Sequence, residues 1–230
     1  MLSIIIVNYR SASLIRDCLA SVQEWNPALD GEIIVVDNDP ALGGREQLQS
    51  QFPSINWIDM DHNAGFARAN NAGMKAAKGD VYLLLNPDTL AIDDSITRCC
   101  ERLLSSDHAA AGVQQLNADG SFQISGNFFV KGGLNHLLPL PYWGALVRWL
   151  GYRAKARVPN VQKAADTEVV DWISGAFLMV KKEAVEKAGR MDEDFFLYAE
   201  EVEWCSRLQK AGRLCIYGDL RIVHLEGATI

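Results

Sequence analysis

No apolar run in this chain approaches the roughly 20 residues that a membrane-spanning helix needs. Residues 1–7 are apolar, but no basic leader precedes them and they run straight into Asn8-Tyr9-Arg10. That pattern argues for a buried strand rather than a secretion signal. The five cysteines, Cys18, Cys99, Cys100, Cys205 and Cys215, contain no CxxC pair. This spacing fits neither a zinc site nor a disulfide framework, so buried reduced thiols of a cytosolic protein are expected. Positive charge is in the minority, with 22 Lys and Arg against 29 Asp and Glu and a net charge of −7. A general nucleic-acid binder is usually basic, so no nucleic-acid partner is expected. Internal repeats and low-complexity tracts are absent. The loop Asn8-Tyr9-Arg10-Ser11-Ala12-Ser13 carries no GxGxxG and no glycine-rich basic motif, which argues against a dinucleotide enzyme and a nucleotidyltransferase.

What is present is 230 residues with 49% hydrophobic composition, enough for one substantial core. Residues 2–7, 32–36, 55–58 and 81–85 read as strands. Ser11 or Ser13 is expected to cap a helix carrying Leu14, Cys18, Leu19 and Val22 at helical spacing. Further helices are expected around Phe66 to Ala77 and over 92–104. This alternation predicts an α/β fold with a mostly parallel sheet. Later come expected strands at 109–113, 121–125, 169–173 and 176–180, then a helix over 182–188 ended by Gly189. The remaining elements are a helix over 200–211 ended by Gly212 and strands at 214–217 and 221–224. Residues 127–166 break the pattern with Gly132-Gly133, Pro139, Pro141 and Pro159 among aromatic and basic side chains.

Each early strand ends in polar residues, and ligands of open α/β sheets bind beyond such carboxyl ends. Leu83-Leu84-Leu85-Asn86-Pro87-Asp88-Thr89 is the sharpest case. A carboxylate fixed there can hold a hard divalent cation beside a diphosphate, although the same turn could simply reverse the chain. His224 is a second candidate ligand, since manganese accepts imidazole; a lone histidine is more often structural. Asp37 can accept from a pyrimidine imide or a ribose hydroxyl, or form an Asx turn into Pro40. Asn8 and Tyr9 can flank a base, or be plain loop. Arg68 can reach a base or phosphate, or be a solvated helix charge. Gly65 at a helix start would leave backbone amides open to an anion. Glu200 and Glu201 follow the apolar lead Phe195-Phe196-Leu197-Tyr198, which can bury a carboxyl and raise its pKa toward a useful base. An acidic helix start favoured by the macrodipole is the plain alternative.

In this order the segments resemble the inverting glycosyltransferases of family 2, with the GT-A nucleotide-diphospho-sugar transferase fold, and within them the bacterial rhamnosyltransferase-like branch. The matching pieces are Ser3-Ile4-Ile5-Ile6-Val7-Asn8-Tyr9, Val35-Val36-Asp37-Asn38, Asn63-Ala64-Gly65-Phe66-Ala67-Arg68, Leu84-Leu85-Asn86-Pro87-Asp88-Thr89, Ser174-Gly175-Ala176-Phe177, Met191-Asp192-Glu193-Asp194-Phe195-Phe196-Leu197-Tyr198 and Val223-His224. The resemblance implies one GT-A domain over 1–230, with a nucleotide half (1–115), an acceptor half (116–230) and a variable excursion at 127–166. The stop at Ile230 suggests a chain that continues in relatives. It implies that Asp37 contacts the nucleobase with Arg68 nearby, that Asn86-Pro87-Asp88 occupies the DXD position, and that Asp88 and His224 hold Mg²⁺ or Mn²⁺. The family's acidic pair is usually Glu-Asp, and here it is Glu200-Glu201. Position makes Glu201 the base, with Glu200 its alternative.

The implied reaction is metal-assisted single displacement from a dTDP- or UDP-sugar, rhamnose being one candidate, to a glycan or lipid-linked acceptor in polysaccharide biosynthesis. The implied location is cytoplasmic, with peripheral contact at the inner membrane face through residues 143–157; an acceptor-side loop is the other reading of that stretch. An inactive sugar-nucleotide-binding module is the alternative function.

Overall fold

A computed structural model describes residues 1–39, 44–129 and 161–225. The elements in chain order are β1 (Leu2–Asn8), α1 (Ala12–Trp25), β2 (Gly31–Asp37), α2 (Arg45–Gln51), β3 (Asn56–Asp59), α3 (Phe66–Ala76), β4 (Val81–Leu85), β5 (Thr89–Leu90), α4 (Ser95–Leu104), β6 (Ala110–Leu116), β7 (Gly126–Asn127), β8 (Glu168–Val170), β9 (Trp172–Ile173), β10 (Phe177–Lys181), α5 (Lys182–Ala188), α6 (Glu200–Leu208) and β11 (Leu214–His224).

Strand side chains alternate between faces, and β1 shows what that does. Leu2, Ile4 and Ile6 pack into one core with Ile15, Cys18 and Leu19 of α1 and Ile96, Cys99 and Leu103 of α4. Ile5 and Val7 enter a second core with Ala67, Ala69 and Met74 of α3 and Trp204, Cys205 and Leu208 of α6. Both faces of the sheet are therefore covered, which explains why β1 and β4 read as unbroken apolar runs. The five cysteines are free and buried. Burial pushes Cys18 up to about 12, so it packs as a neutral thiol.

The sheet order is β3-β2-β1-β4-β10-β6-β11-β5, with β8 also on β11. The first four strands of this order are parallel, as the alternation predicts. β10 then inserts antiparallel between β4 and β6. The expected strands at 214–217 and 221–224 are one strand, β11, whose pairing with β6 shifts register between Tyr217 and Arg221. Such an irregularity bends the strand and re-aims the residues beyond it. Here it leads β11 to His224, opposite Thr89 of β5.

Three expectations are corrected. Ser11 precedes α1 but does not cap it: its hydroxyl donates to Asn8 Oδ1 at 3.0 Å. Residues 121–125 form no strand beyond an isolated bridge between Leu116 and Phe122. There the Ser125 hydroxyl accepts from the Gln115 N–H at 2.8 Å, so a side chain takes a partner that a ladder would have used. The helix expected over 200–211 ends at Leu208, where turn bonds from Lys210 and Ala211 take over. Helix α5 does end at Gly189, whose φ of 78° suits glycine. Among the described residues no helix is long and apolar enough to cross a membrane. The stretch 143–157 lies outside the described residues.

Candidate active site

The carboxyl ends of β1, β2 and β4 open on a cavity of about 420 Å³. Its wall includes Tyr9, Asn38, Asn63, Asn86, Pro87, the loop 174–176, residues 196–198, Glu200, Glu201 and His224. Asn8, Asp37 and Asp88 lie behind this wall, each buried.

Asn8 and Asp37 are register partners at the ends of β1 and β2. Asn8 Nδ2 donates to Asp37 Oδ1 at 2.8 Å, and the Asp39 N–H reaches the same oxygen at 3.2 Å. Asn8 Oδ1 accepts from the backbone and hydroxyl of Ser11. The amide of Asn8 is therefore engaged inside the protein, while Asp37 Oδ2 has no partner. A buried carboxylate oxygen left bare is costly, and an imide or hydroxyl donor from a ligand would satisfy it. Tyr9 stands on the cavity wall beside this pair, with the Arg10 guanidinium 5.3 Å from its ring centre.

The amides around Gly65 are not open to an anion. The Ala64 N–H donates to Asn38 Oδ1 at 2.9 Å, the Gly65 N–H to Asn63 Oδ1 at 3.2 Å, and the Phe66 N–H to the Phe196 carbonyl at 2.9 Å. These bonds splice the donor-side loop to the acidic loop before α6. Gly65 sits at φ 84°, ψ 173°, a region only glycine enters comfortably, and a Cβ there would lie 2.5 Å from the Phe196 carbonyl oxygen. Gly65→Ala is expected to cost at least about 1–3 kcal/mol, read as a lowered midpoint in urea unfolding. An unchanged midpoint would mean the two loops are not joined as described. Arg68 is exposed on α3, off the cavity wall, and its Nε donates to the Glu193 carbonyl at 3.1 Å. Asn71, unremarked in the sequence, holds the same loop through the backbone of Met191.

Asn86-Pro87-Asp88 is a turn closed on itself: the Thr89 hydroxyl donates to the Asn86 carbonyl at 2.6 Å. The Asn86 N–H donates to the Ala176 carbonyl at 3.0 Å, tying the turn to β10. Asp88 Oδ1 lies 3.3 Å from His224 Nε2, and the Leu225 N–H donates to the Asp88 carbonyl. Thus the two candidate cation ligands, far apart in sequence, are neighbours. Among the described residues no group of three or more His, Cys, Asp or Glu side chains could hold a metal. Two protein ligands suit a hard cation whose shell is completed by phosphate oxygens and water, so the residues fit such a group.

Tyr198, on the cavity wall, and Ala199 adopt φ of 71° and 73° immediately before α6. Left-handed backbone at two such residues stores strain, and it swings Glu200 and Glu201 onto the cavity wall. Burial raises the pKa of both carboxyls, and the charge of Glu201 adds to the effect on Glu200. Glu200 is only 3% exposed and its Oε2 has no partner. Glu201 is part-exposed and lies against Gly175. A carboxyl whose folded pKa is raised holds its proton more tightly when folded. Its burial cost is therefore absent well below the ordinary value of 4.5 and complete above the folded value. Glu200→Gln is expected to raise the melting temperature near pH 8, by about 2–4 °C for each kcal/mol relieved. The gain should vanish below about pH 4. Calorimetry across this range checks it; a pH-independent difference would place the cause elsewhere.

A mostly parallel sheet with a crevice at its strand ends, beside an acidic turn and a histidine, is the GT-A architecture. The chain belongs to glycosyl transferase family 2, whose model matches residues 3–138. It is similar to a low-salt glycan biosynthesis hexosyltransferase of Haloferax volcanii, 26% identical over 91% of this chain and 62% of that protein. It is also similar to the N-acetylglucosaminyl-diphospho-decaprenol L-rhamnosyltransferase of Mycobacterium tuberculosis, 26% identical over 80% of this chain and 63% of the relative. The chain thus spans about three-fifths of the length of these curated relatives. Among solved structures, GalNAc-T7 with UDP, GalNAc and Mn²⁺ superposes with a TM-score of 0.70 at 14% identity, covering 99% of this chain and 44% of that one. The Pyrobaculum calidifontis mannosyltransferase with GDP-Man and Mn²⁺ superposes with a TM-score of 0.66 at 17% identity, covering 99% and 58%.

Proposed function

We propose that the chain is an inverting glycosyltransferase that moves a sugar from a nucleoside diphosphate to a hydroxyl of a glycan or lipid-linked acceptor. The observation that carries this reading is one cavity whose wall holds both His224, with the buried Asp88 behind it, and Glu201, a carboxyl of raised pKa. Asp37 accepts from the nucleobase and Tyr9 flanks it, while Asn8 holds Asp37 in place. Asp88 and His224 hold a divalent cation, which when bound offsets the charge of the departing diphosphate. Glu201 takes the proton of the acceptor hydroxyl. The oxygen forms a bond to the anomeric carbon as the bond to the diphosphate oxygen breaks, with inversion. Raising the base pKa brings it nearer the operating pH.

Rhamnose is the favoured sugar and dTDP or UDP the favoured carrier, since several relatives are named rhamnosyltransferases, including a dTDP-rhamnosyl transferase of Shigella flexneri. The acceptor follows the decaprenol-linked name of the mycobacterial relative. The test is thermal shift against a panel of nucleotide sugars with and without Mn²⁺, followed by product analysis with a lipid-linked acceptor. Stabilisation dependent on Mn²⁺ and a product of inverted configuration are expected. Binding without transfer or donor hydrolysis would instead establish a sugar-nucleotide-binding module.

A further inference from the structure

Gln123 lies in the connection after β6 and is 8% exposed. Its backbone N–H donates to the Gln115 carbonyl at 2.9 Å, anchoring it to the end of that strand. Its side chain reaches the last residue of β11. Nε2 donates to the His224 carbonyl at 2.8 Å and to Asn117 Oδ1 at 2.6 Å. Oε1 lies 2.9 Å from His224 Nδ1. A backbone carbonyl can only accept, so the amide orientation is settled: the nitrogen faces that carbonyl and the oxygen faces the imidazole. The imidazole must then donate through Nδ1–H. A neutral imidazole carries one N–H and one lone pair, which places the lone pair on Nε2, the atom 3.3 Å from Asp88 Oδ1. In that neutral ring the nitrogen nearest Asp88 is the one able to ligate a cation.

We propose that Gln123 is a positioning residue that fixes the ring and tautomer of His224, so that Nε2 and Asp88 are preset to take a divalent cation. This inference rests on the cation role given above to Asp88 and His224. Partners behind a ligating histidine fix its tautomer and orientation, and losing one typically lowers metal affinity about 10–100-fold. The same side chain ties β11 to Asn117, whose Nδ2 donates to the Ser121 hydroxyl at 2.8 Å. The support is therefore a short chain, Asn117 to Gln123 to His224, behind the pair.

The test uses the 230-residue chain with Mn²⁺ and UDP or dTDP, following free Mn²⁺ by electron paramagnetic resonance. Gln123→Met is expected to weaken Mn²⁺ binding about 10–100-fold. Gln123→Glu retains an acceptor for Nδ1–H but loses the donor to the His224 carbonyl, so its affinity is expected to fall between those of the wild type and Gln123→Met. Nitrogen-15 resonances of His224 in the metal-free wild type are expected to report the Nδ1–H tautomer of the neutral ring. That measurement decides the matter even if a variant fails to fold. An Nε2–H tautomer, unchanged affinity in a folded Gln123→Met, or equal losses in the Met and Glu variants would each overturn the proposal. His224→Ala separates the two levels. If it leaves Mn²⁺ affinity intact, the cation reading itself fails; if it weakens binding while Gln123→Met does not, only the role of Gln123 fails.

Discussion

Glu201→Gln is expected to lower transfer by roughly 10²–10⁴-fold, the usual contribution of a positioned general base, with nucleoside diphosphate affinity little changed. The substitution keeps size and hydrogen-bonding shape but removes the proton acceptor. Glu201 is favoured over Glu200 because it is part-exposed on the cavity wall, against the Gly175 backbone. Glu200 is nearly closed off from solvent. A base must come within hydrogen-bond reach of the hydroxyl that it deprotonates, and Glu201 is the more exposed of these two wall residues. Steady-state kinetics with saturating donor checks the expectation. Full turnover in Glu201→Gln with collapse in Glu200→Gln would move the base one residue back. Because Glu201 has its pKa raised by burial, the rate of the wild type should climb as pH rises through that value and then level.

Asp88→Ala is expected to abolish the Mn²⁺-dependent part of nucleotide binding, a loss on the order of several kcal/mol of charge stabilisation, while metal-free nucleotide binding persists. Titration calorimetry with UDP or dTDP, with and without Mn²⁺, separates the two. Asp88→Asn is the control for packing, because the residue is buried and its carbonyl also accepts from the Leu225 N–H. If both variants bind the nucleotide with wild-type affinity in Mn²⁺, the Asn86-Pro87-Asp88 turn is a chain reversal and nothing more.

The parts of the fold legible in the sequence were those where one residue type dictates one local outcome. The runs Ile4-Ile5-Ile6 and Leu83-Leu84-Leu85 are apolar on both faces and became central parallel strands. Helix α2 was not legible, since its Arg45–Gln51 segment buries only Leu48 and shows little periodicity. The two-residue strand β5 was hidden because Pro87 and Asp88 read as the end of pairing. Pairing does stop there, yet the chain rejoins the sheet at Thr89, far from β4, beside β11. The order of strands was also out of reach, since no local signal says that residues 177–181 enter antiparallel beside Val81–Leu85. For the site, residue types at strand ends were enough to nominate Asp37, Asp88 and His224, and the apolar lead before α6 nominated Glu200 and Glu201. Their roles as neighbours depend on register, which sequence spacing does not fix. Gln123 carried no signal at all: its importance comes entirely from lying opposite His224 after the fold has closed. The amides near Gly65 illustrate the converse, a local motif whose apparent vacancy is filled by Asn38, Asn63 and a carbonyl from distant Phe196.

The insertion of β10 has a consequence for how this protein is made. β4 is buried along its whole length, and the edge that it presents to β10 stays unsealed until residues 177–181 have left the ribosome. From residue 85 to residue 177 the nascent chain carries a bare, apolar strand edge at the middle of its future sheet. Open edges of this kind template intermolecular pairing, and long-range strand closure is slow. A fragment ending near residue 138, the limit of the family match, would keep that seam open permanently and is expected to aggregate. The seam between β4 and β10 is therefore where an incomplete chain is open to mispairing.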